Sequence, residues 1–252
     1  MNSTVMAQTR SRGLSDEITN WLRESILRGH FVPGQHLLEE ELADKFDVSR
    51  GPVREALVQL EHEGLVMLRR HRGAFVARLS PEVAQEVYSL QLALERLAAQ
   101  SAVQKATQED WTTLQQVIDS MKEAHDMGMS RQEAADLDVR FHDLVYRSAH
   151  HERLWGFWSN LRSQVYILLL SAMSNDPDYS IGLADSHTLV LDALRTRNSN
   201  LAVRIVEDHV GREFENVRKS YLQNTDANNT TVLSSGQESS ARLNKDNEVQ
   251  IS

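Results

Sequence analysis

The stretch "DVSRGPVREALVQLEHEGL", residues 47–65, predicts a helix that begins with a basic turn and ends at a glycine. Ser49 suits the N-cap position, and Pro52 falls in the first turn, where its missing N–H costs no hydrogen bond. Gly64 suits the position just beyond the helix end. The apolar residues recur at the spacing of one buried helix face, and they are Val53, Ala56, Leu57 and Leu60.

The segments on either side of this helix complete a recognisable order of elements. Before it, apolar residues at helical spacing predict one helix from Leu14 to a stop at Gly29, and a short helix around 39–46 follows a Pro-Gly turn. After it, "LVMLRRHRGAFVAR", residues 65–78, predicts two short strands around a basic tip. The order is helix, helix, turn, helix and hairpin, so residues 14–78 are predicted to form a winged helix-turn-helix.

The rest of the chain is predicted to be a helical bundle. Residues 79–80 are expected to form a hinge, and the pattern from 81 to 222 is helical almost throughout, which makes the fold mainly α. Six or seven helices are expected, with breaks near 105–108, 127–130, 149–151, 174–180 and 197–200. Residues 1–13 and 223–252 are polar and unpatterned, and we expect them to be disordered tails.

Composition limits where the protein works. The 252 residues include no cysteine, which excludes disulfides and thiolate metal ligands and fits a reducing compartment. The longest apolar run, "VYILLL" at 165–170, is far shorter than the roughly 20 residues that span a bilayer. The N-terminus lacks the apolar core of a signal peptide. We therefore expect a soluble, cytoplasmic protein without membrane contact.

Charge is distributed unevenly along the chain. The net charge is −9, yet residues 1–79 hold 11 basic and 11 acidic residues, so the excess acid lies in residues 80–252. Residues 49–78 contain six arginines and three acids. Arg50 and Arg54 lie one turn apart on the side of the predicted helix opposite its apolar face. A helix fits the DNA major groove, where arginine can bind guanine through two hydrogen bonds.

The predicted hairpin adds a second basic group. Its tip carries Arg69, Arg70, His71 and Arg72, and Gly73 permits the tight turn. Such a wing can lie along phosphates or enter the minor groove. An ordinary solvated charged face is the simpler explanation for Arg54 taken alone. The whole assembly, in this order, predicts DNA binding.

Residues 14–78 resemble the DNA-binding domain of the GntR family of bacterial transcription regulators. The most specific segments are "VSRGPVREAL", residues 48–57, and "EGLV", residues 63–66. The resemblance implies that Arg50 and Arg54 read DNA and that the wing near Arg72 and Gly73 touches it. One departure is Gly51, where the family usually carries a hydroxyl side chain, so one DNA contact is expected to be missing there.

Histidines in the helical region suggest a metal site. Asp138 and His142 lie four residues apart on a helix face that also holds apolar residues, so both point inward. His187 and His209 each lie 11 residues from Asn198, in the turn "TRNSN", and an antiparallel helix pair closing there would bring them face to face. Each histidine alone is better explained as a hydrogen-bonded core residue. Together the four residues suggest a divalent cation, with zinc first and nickel, manganese or iron as alternatives.

Residues 81–222 resemble the FCD ligand-binding domain of the FadR-like branch of that family. The matching segments are "DLDVRFHDLVYRSAHHERL", residues 136–154, and "SHTLVLDALRTRNSNLAVRIVEDHV", residues 186–210. The resemblance implies a metal on Asp138, His142, His187 and His209. It also implies an anionic effector. Gln91 occupies the place where the family often has an arginine for that ligand, and we expect Arg162 and Tyr166 to contribute to the effector site.

These observations favour a ligand-responsive transcription regulator. The expected form is a homodimeric repressor on a near-palindromic operator, controlled by a small organic acid bound beside the metal. A regulator that senses the metal ion itself is the first alternative. A metal-dependent hydrolase is the second, and the chain shows neither a dedicated general base near the ligands nor a G-x-S-x-G motif. We therefore expect a regulator rather than an enzyme.

Overall fold

The N-terminal part of the protein is a winged helix-turn-helix. The computed structural model describes residues 2–175, 178 and 180–221. Its first six elements in chain order are α1 (Asn2–Leu27), β1 (His36–Leu37), α2 (Glu39–Phe46), α3 (Arg50–His62), β2 (Val66–Arg69) and β3 (Gly73–Val76). The strands form an antiparallel sheet in the order β1-β3-β2. This arrangement confirms the predicted fold class, and it adds the short strand β1, which the sequence pattern did not show.

The first helix is longer than the sequence suggested. It begins at Asn2, whereas we had expected a disordered tail over residues 1–13. Residues 2–12 contain neither proline nor glycine, so nothing in that stretch ends a helix that residues 14–27 already form. The expected C-terminal tail, residues 223–252, lies outside the described residues.

The three helices and the sheet enclose one apolar core. Its fully buried members include Ile18 and Leu22 of α1 and Leu57 and Leu60 of α3. The turn between α2 and α3 passes through Asp47, which adopts a left-handed conformation with φ of 52°. Gly64 has φ of 67° just after α3, the conformation that a glycine permits at a helix end. This core fixes α3 with its first turn toward solvent.

The C-terminal part is a bundle of long helices. They are α4 (Pro81–Lys105), α5 (Gln108–Asp126), α6 (Arg131–Ser148), α7 (Glu152–Asn175), α8 (Leu183–Arg195) and α9 (residues 199–221). Hydroxyl residues begin three of them, since Ser80, Thr107 and Ser130 each accept a hydrogen bond from a backbone N–H one turn later. The helices end close to the predicted breaks. None of the helices in the described part of the chain is long and apolar enough to cross a membrane.

One helix of the bundle contacts the DNA-binding part. Ile167 of α7 packs against the N-terminal core, and Leu27 of α1 packs against both cores. A Cβ atom added to Gly64 would lie 2.5 Å from the side chain of Gln164, so α7 covers the end of α3 directly. Near the connection between the two parts, the hydroxyl of Tyr221 donates a hydrogen bond to the carbonyl of Leu79 at 2.7 Å.

Candidate functional sites: a basic recognition helix and a buried histidine cluster

The first turn of α3 presents two arginines to solvent. Arg50 and Arg54 are more than half exposed, and each pairs with a glutamate of α2. Ser49 has the extended backbone of an N-cap, but its side chain makes no capping hydrogen bond. A Cβ atom at Gly51 would meet only Oγ of Ser49, at 3.7 Å, so the backbone there has room for a side chain. The surface therefore combines exposed cations with the free N–H groups of a helix start.

The wing adds further basic residues at the end of the hairpin. β2 and β3 pair from Val66 opposite Val76 to Arg69 opposite Gly73. The turn between them holds Arg70, His71 and Arg72, all exposed, and His71 and Gly73 both have positive φ values, 59° and 90°. The guanidinium of Arg69 lies over the ring of Phe75 at 5.3 Å.

Three histidines and a glutamate meet inside the helical bundle. One nitrogen or oxygen atom from each of His142, His187, His209 and Glu213 lies within 4.8 Å of the others. We call these four residues the histidine cluster. The carboxylate of Asp138 borders it, with Oδ1 3.7 Å from Nε2 of His142 and Oδ2 3.6 Å from Nε2 of His187. The imidazole rings of His187 and His209 lie 4.6 Å apart between centroids, as the turn geometry predicted.

Contacts outside the cluster turn two imidazoles toward its centre. Nδ1 of His142 lies 2.7 Å from Oε1 of buried Glu95, and Nδ1 of His187 lies 2.8 Å from the carbonyl of Leu183. Both partners accept hydrogen bonds, so each Nδ1 donates its N–H outward and each Nε2 faces the centre of the cluster. Metal-binding histidines commonly donate their other ring N–H to a carboxylate or a carbonyl in this way.

Several buried polar atoms at the histidine cluster have no hydrogen-bond partner in the described part of the chain. Both carboxylate oxygens of Asp138 and Nε2 of His187 make no hydrogen bond within the described residues. Buried polar atoms are normally satisfied, because desolvation without a partner is costly. Nitrogen and carboxylate donors are the ligand set of zinc and neighbouring divalent ions. The residues present therefore fit a divalent cation.

Burial and neighbouring charges shift the pKa values of several residues in and beside the cluster. Burial raises the pKa of Asp138 well above its ordinary value, and the nearby charge of Glu213 adds to the effect. Burial, together with the charges of His209 and His142, lowers the pKa of His187 well below that of free imidazole. For His142 burial acts to lower the pKa, but Glu95 and Glu213 outweigh it, and the pKa is raised well above the ordinary value.

Glu213 shows the opposite balance from Asp138. Burial acts to raise its pKa, but His209 and His142 outweigh burial and hold the pKa well below the usual range. Glu213 therefore stays ionised, and its Oε1 atom lies 2.9 Å from Nε2 of His209. Glu213 thus presents a negatively charged oxygen atom to the centre of the cluster.

The three residues expected to bind the effector lie in two different places. Gln91 is buried, and it lines a small cavity that also touches Glu213. Arg162 and Tyr166 instead line a cleft of about 340 Å³ between the two parts of the protein, together with Arg23 and Gln59. The spacing of residues along α7 did not reveal which neighbour each face of that helix contacts.

Arg212, rather than Arg162, lies beside the histidine cluster. A cavity of about 240 Å³ is lined by His209 and Glu213 and also by Ser186, Arg212 and Asn216. Arg212 is exposed and forms no ion pair with the described residues. The cavity therefore combines a free cation, neutral hydrogen-bonding groups and two members of the cluster, which suits a small carboxylate.

Sequence reasoning missed two carboxylates of this centre. Glu213 lies four residues after His209, the same spacing that identified Asp138 and His142, so the signal was present in the sequence. Glu95 is 47 residues from His142, and no spacing rule connects them.

A winged helix with an exposed basic recognition helix, joined to a helical bundle, defines the class of DNA-binding transcription regulators. Comparison with known families agrees. The family described as "Bacterial regulatory proteins, gntR family" matches residues 14–76, and the "FCD domain" family matches residues 86–212. The chain belongs to the GntR family and carries an FCD domain. It is a transcription regulator rather than an enzyme.

Individual relatives carry the same description. The chain is 27% identical to the HTH-type transcriptional repressor RspR of Escherichia coli strain K12, over 84% of this chain and 92% of that protein. It is 29% identical to the gluconate operon transcriptional repressor of Bacillus subtilis strain 168, over 80% and 84% of the two chains. The solved structure of E. coli McbR/YncC shares the fold, with a TM-score of 0.70 and 19% identity over 82% and 98% of the chains.

Proposed function

We propose that this regulator is a repressor whose operator affinity is controlled by a small organic acid bound beside a divalent metal ion. The histidine cluster carries the proposal. It places three buried imidazoles and a carboxylate within 4.8 Å of one another, next to an open cavity with a free arginine. Two of the relatives are named repressors, and one is named for a gluconate operon, which supports both the repressor role and an acid as effector.

His142, His187 and His209 would hold the metal, with Asp138 and Glu213 as the candidate carboxylate ligands. The ion would supply positive charge for an anionic ligand. Zinc suits this nitrogen and oxygen donor set, and nickel, manganese and iron suit it as well. Arg212 would bind the effector carboxylate through paired N–H groups, while Ser186 and Asn216 would donate to its hydroxyl or carbonyl oxygens. Gln91 would border the site from the side of Glu213.

At the DNA end, Arg50 and Arg54 would read bases in the major groove. The wing residues Arg69, Arg70, His71, Arg72 and Gly73 would follow the backbone or the minor groove, and the backbone at Gly51 would approach a phosphate without a side-chain contact. A homodimer would place two recognition helices one DNA turn apart on a near-palindromic site. An acid that favours the DNA-free arrangement must lower DNA affinity by the same factor by which DNA lowers acid affinity.

The test begins with DNA selected from a random-sequence pool by the metal-loaded protein. Binding of the selected duplex is then measured after chelation, after restoring zinc, and with a panel of short carboxylic acids that includes gluconate. We expect one or more acids to release the DNA from the metal-loaded protein alone. If chelation changes DNA binding but no acid does, the metal-sensing alternative is correct. If neither changes DNA binding, the effector proposal is wrong.

A further inference from the structure

The first turn of α2 carries three consecutive glutamates, and two of them reach the recognition helix. Oε2 of Glu39 accepts a hydrogen bond from Nε of Arg54 at 2.7 Å. Oε1 of Glu40 accepts one from Nη2 of Arg50 at 2.9 Å. Both arginines are the residues assigned to DNA under the proposed function. The surface that faces DNA is therefore partly neutralised by acids from the neighbouring helix.

A simpler role exists for acids at this position. Negative charge in the first turn of a helix stabilises the helix dipole, and α2 has no side-chain cap of its own. That role applies to Glu39, Glu40 and Glu41 alike. Glu41 is exposed and forms no ion pair among the described residues, so the pairing with α3 distinguishes the other two.

The atoms used by the two pairs differ, and the difference matters for reading bases. Arginine binds guanine through two N–H groups, either from both terminal nitrogens or from Nε and Nη2. Glu39 occupies only Nε of Arg54, so the two terminal nitrogens remain available. Glu40 accepts from one of the two N–H groups on Nη2 of Arg50, the nitrogen that both modes of binding use. Glu39 leaves the terminal nitrogens of Arg54 free to read a base, whereas Glu40 places a carboxylate beside a nitrogen that Arg50 needs for reading one.

We propose that Glu39 and Glu40 set the sequence selectivity of the recognition helix, Glu39 by orienting Arg54 and Glu40 by masking Arg50. An unmasked arginine binds phosphates on any sequence, and such contacts supply non-specific affinity. Masking removes one of these contacts, and only a site that offers Arg50 a good base contact displaces Glu40. Glu39 and Glu40 are thus positioning residues that need not touch DNA.

The test compares Glu39→Gln, Glu40→Gln and the control Glu41→Gln, each of which removes one charge from the same helix turn and keeps the side-chain size. Affinity is measured by fluorescence anisotropy over a range of salt concentrations. One probe is a random-sequence duplex, and the other is the duplex selected by the wild-type protein. Because the three variants have equal net charge, a difference from Glu41→Gln isolates the effect of each pair.

We expect Glu40→Gln to bind the random duplex about two- to fivefold more tightly than Glu41→Gln, the range that an exposed ion pair supports. Its logarithmic salt dependence should be steeper by about 0.9, the value for one added phosphate contact. Glu39→Gln should bind the selected duplex about two- to fivefold more weakly than the control and leave the random duplex unchanged. Misfolding cannot produce the gain expected for Glu40→Gln.

The inference is overturned if Glu39→Gln and Glu40→Gln match Glu41→Gln on both duplexes. Arg50→Ala and Arg54→Ala are measured on the same probes, because the inference rests on their assigned DNA contacts. If the arginine variants bind the selected duplex as well as the wild type, that assignment fails. If they lose affinity while the glutamate variants match their control, the assignment stands and only the role of the glutamates is wrong.

Discussion

Oε1 of Glu95 lies 2.7 Å from Nδ1 of His142, and this contact ties helix α4 to the histidine cluster on α6, α8 and α9. Both side chains are almost completely buried. The hydrogen bond keeps a proton on Nδ1 and turns Nε2 toward the cluster, so a residue outside the cluster orients the nitrogen that a metal would meet.

Replacing Glu95 by glutamine should therefore weaken metal binding without removing a ligand. We expect a loss of about 10- to 100-fold in affinity, the range for partners of metal-binding histidines. Competition with a chromophoric chelator measures it. Glu86→Gln, an exposed change on the same helix, serves as the control and should leave the affinity unchanged. Equal affinities for the two variants would remove Glu95 from the metal site.

Metal affinity should fall as the pH falls. The pKa values of Asp138 and His142 are both raised well above their ordinary values, the first mainly by burial and the second by Glu95 and Glu213 against the effect of burial. Protons therefore compete with the metal at higher pH than at an exposed carboxylate, and binding releases them. Zinc titrations between about pH 8 and pH 6, where imidazole titrates, should show this dependence. A constant affinity over this range would contradict it.

Arg212→Gln should weaken effector binding and preserve metal binding. The substitution removes the free cation beside His209 and Glu213 but none of the imidazoles. We expect the best acid from the panel to lose at least about tenfold in affinity, as for loss of a charged hydrogen-bond pair. Calorimetry on the zinc-loaded protein measures this. Arg162→Gln is the matched comparison, and an equal loss there would place the effector in the cleft between the domains instead.

Arg23→Ala should destabilise the DNA-binding part. Nε and Nη2 of Arg23 each donate to the carboxylate of Glu63 at 2.6 Å, and the Glu63 side chain is only 5% exposed. Removing the arginine leaves a buried charge without its partner, which costs about 2–3 kcal/mol. Urea unfolding measures the loss.

Arg28→Ala is the control for that experiment, because Arg28 pairs with Glu24 in an exposed ion pair at 3.2 Å. Such pairs contribute at most about 1 kcal/mol. If the two substitutions cost the same free energy of unfolding, the pair of Arg23 and Glu63 is no stronger than a surface contact.

Residue spacing predicted most of the helices and their buried faces, because these features depend only on residues close together in the sequence. The spacing of Val53, Ala56, Leu57 and Leu60 identified the buried face of α3, and the turn at Asn198 placed His187 opposite His209. Glu95 and Arg212 were missed because their roles depend on how helices distant in sequence pack together. For the same reason, the sequence did not show that Arg162 lines the cleft beside Arg23.

Helix α7 packs against two apolar cores. Ile167 contacts the core of the winged helix-turn-helix, and other residues of α7 lie in the core of the helical bundle. A chimaera that joins this helical bundle to the winged helix-turn-helix of a relative would break that shared surface. Gln164 lies over Gly64, and a side chain at residue 64, already disfavoured by the φ of 67°, would require the end of the Gln164 side chain to move. In such a chimaera, residue 64 and the α7 residues that face it would therefore have to be taken from the same parent protein.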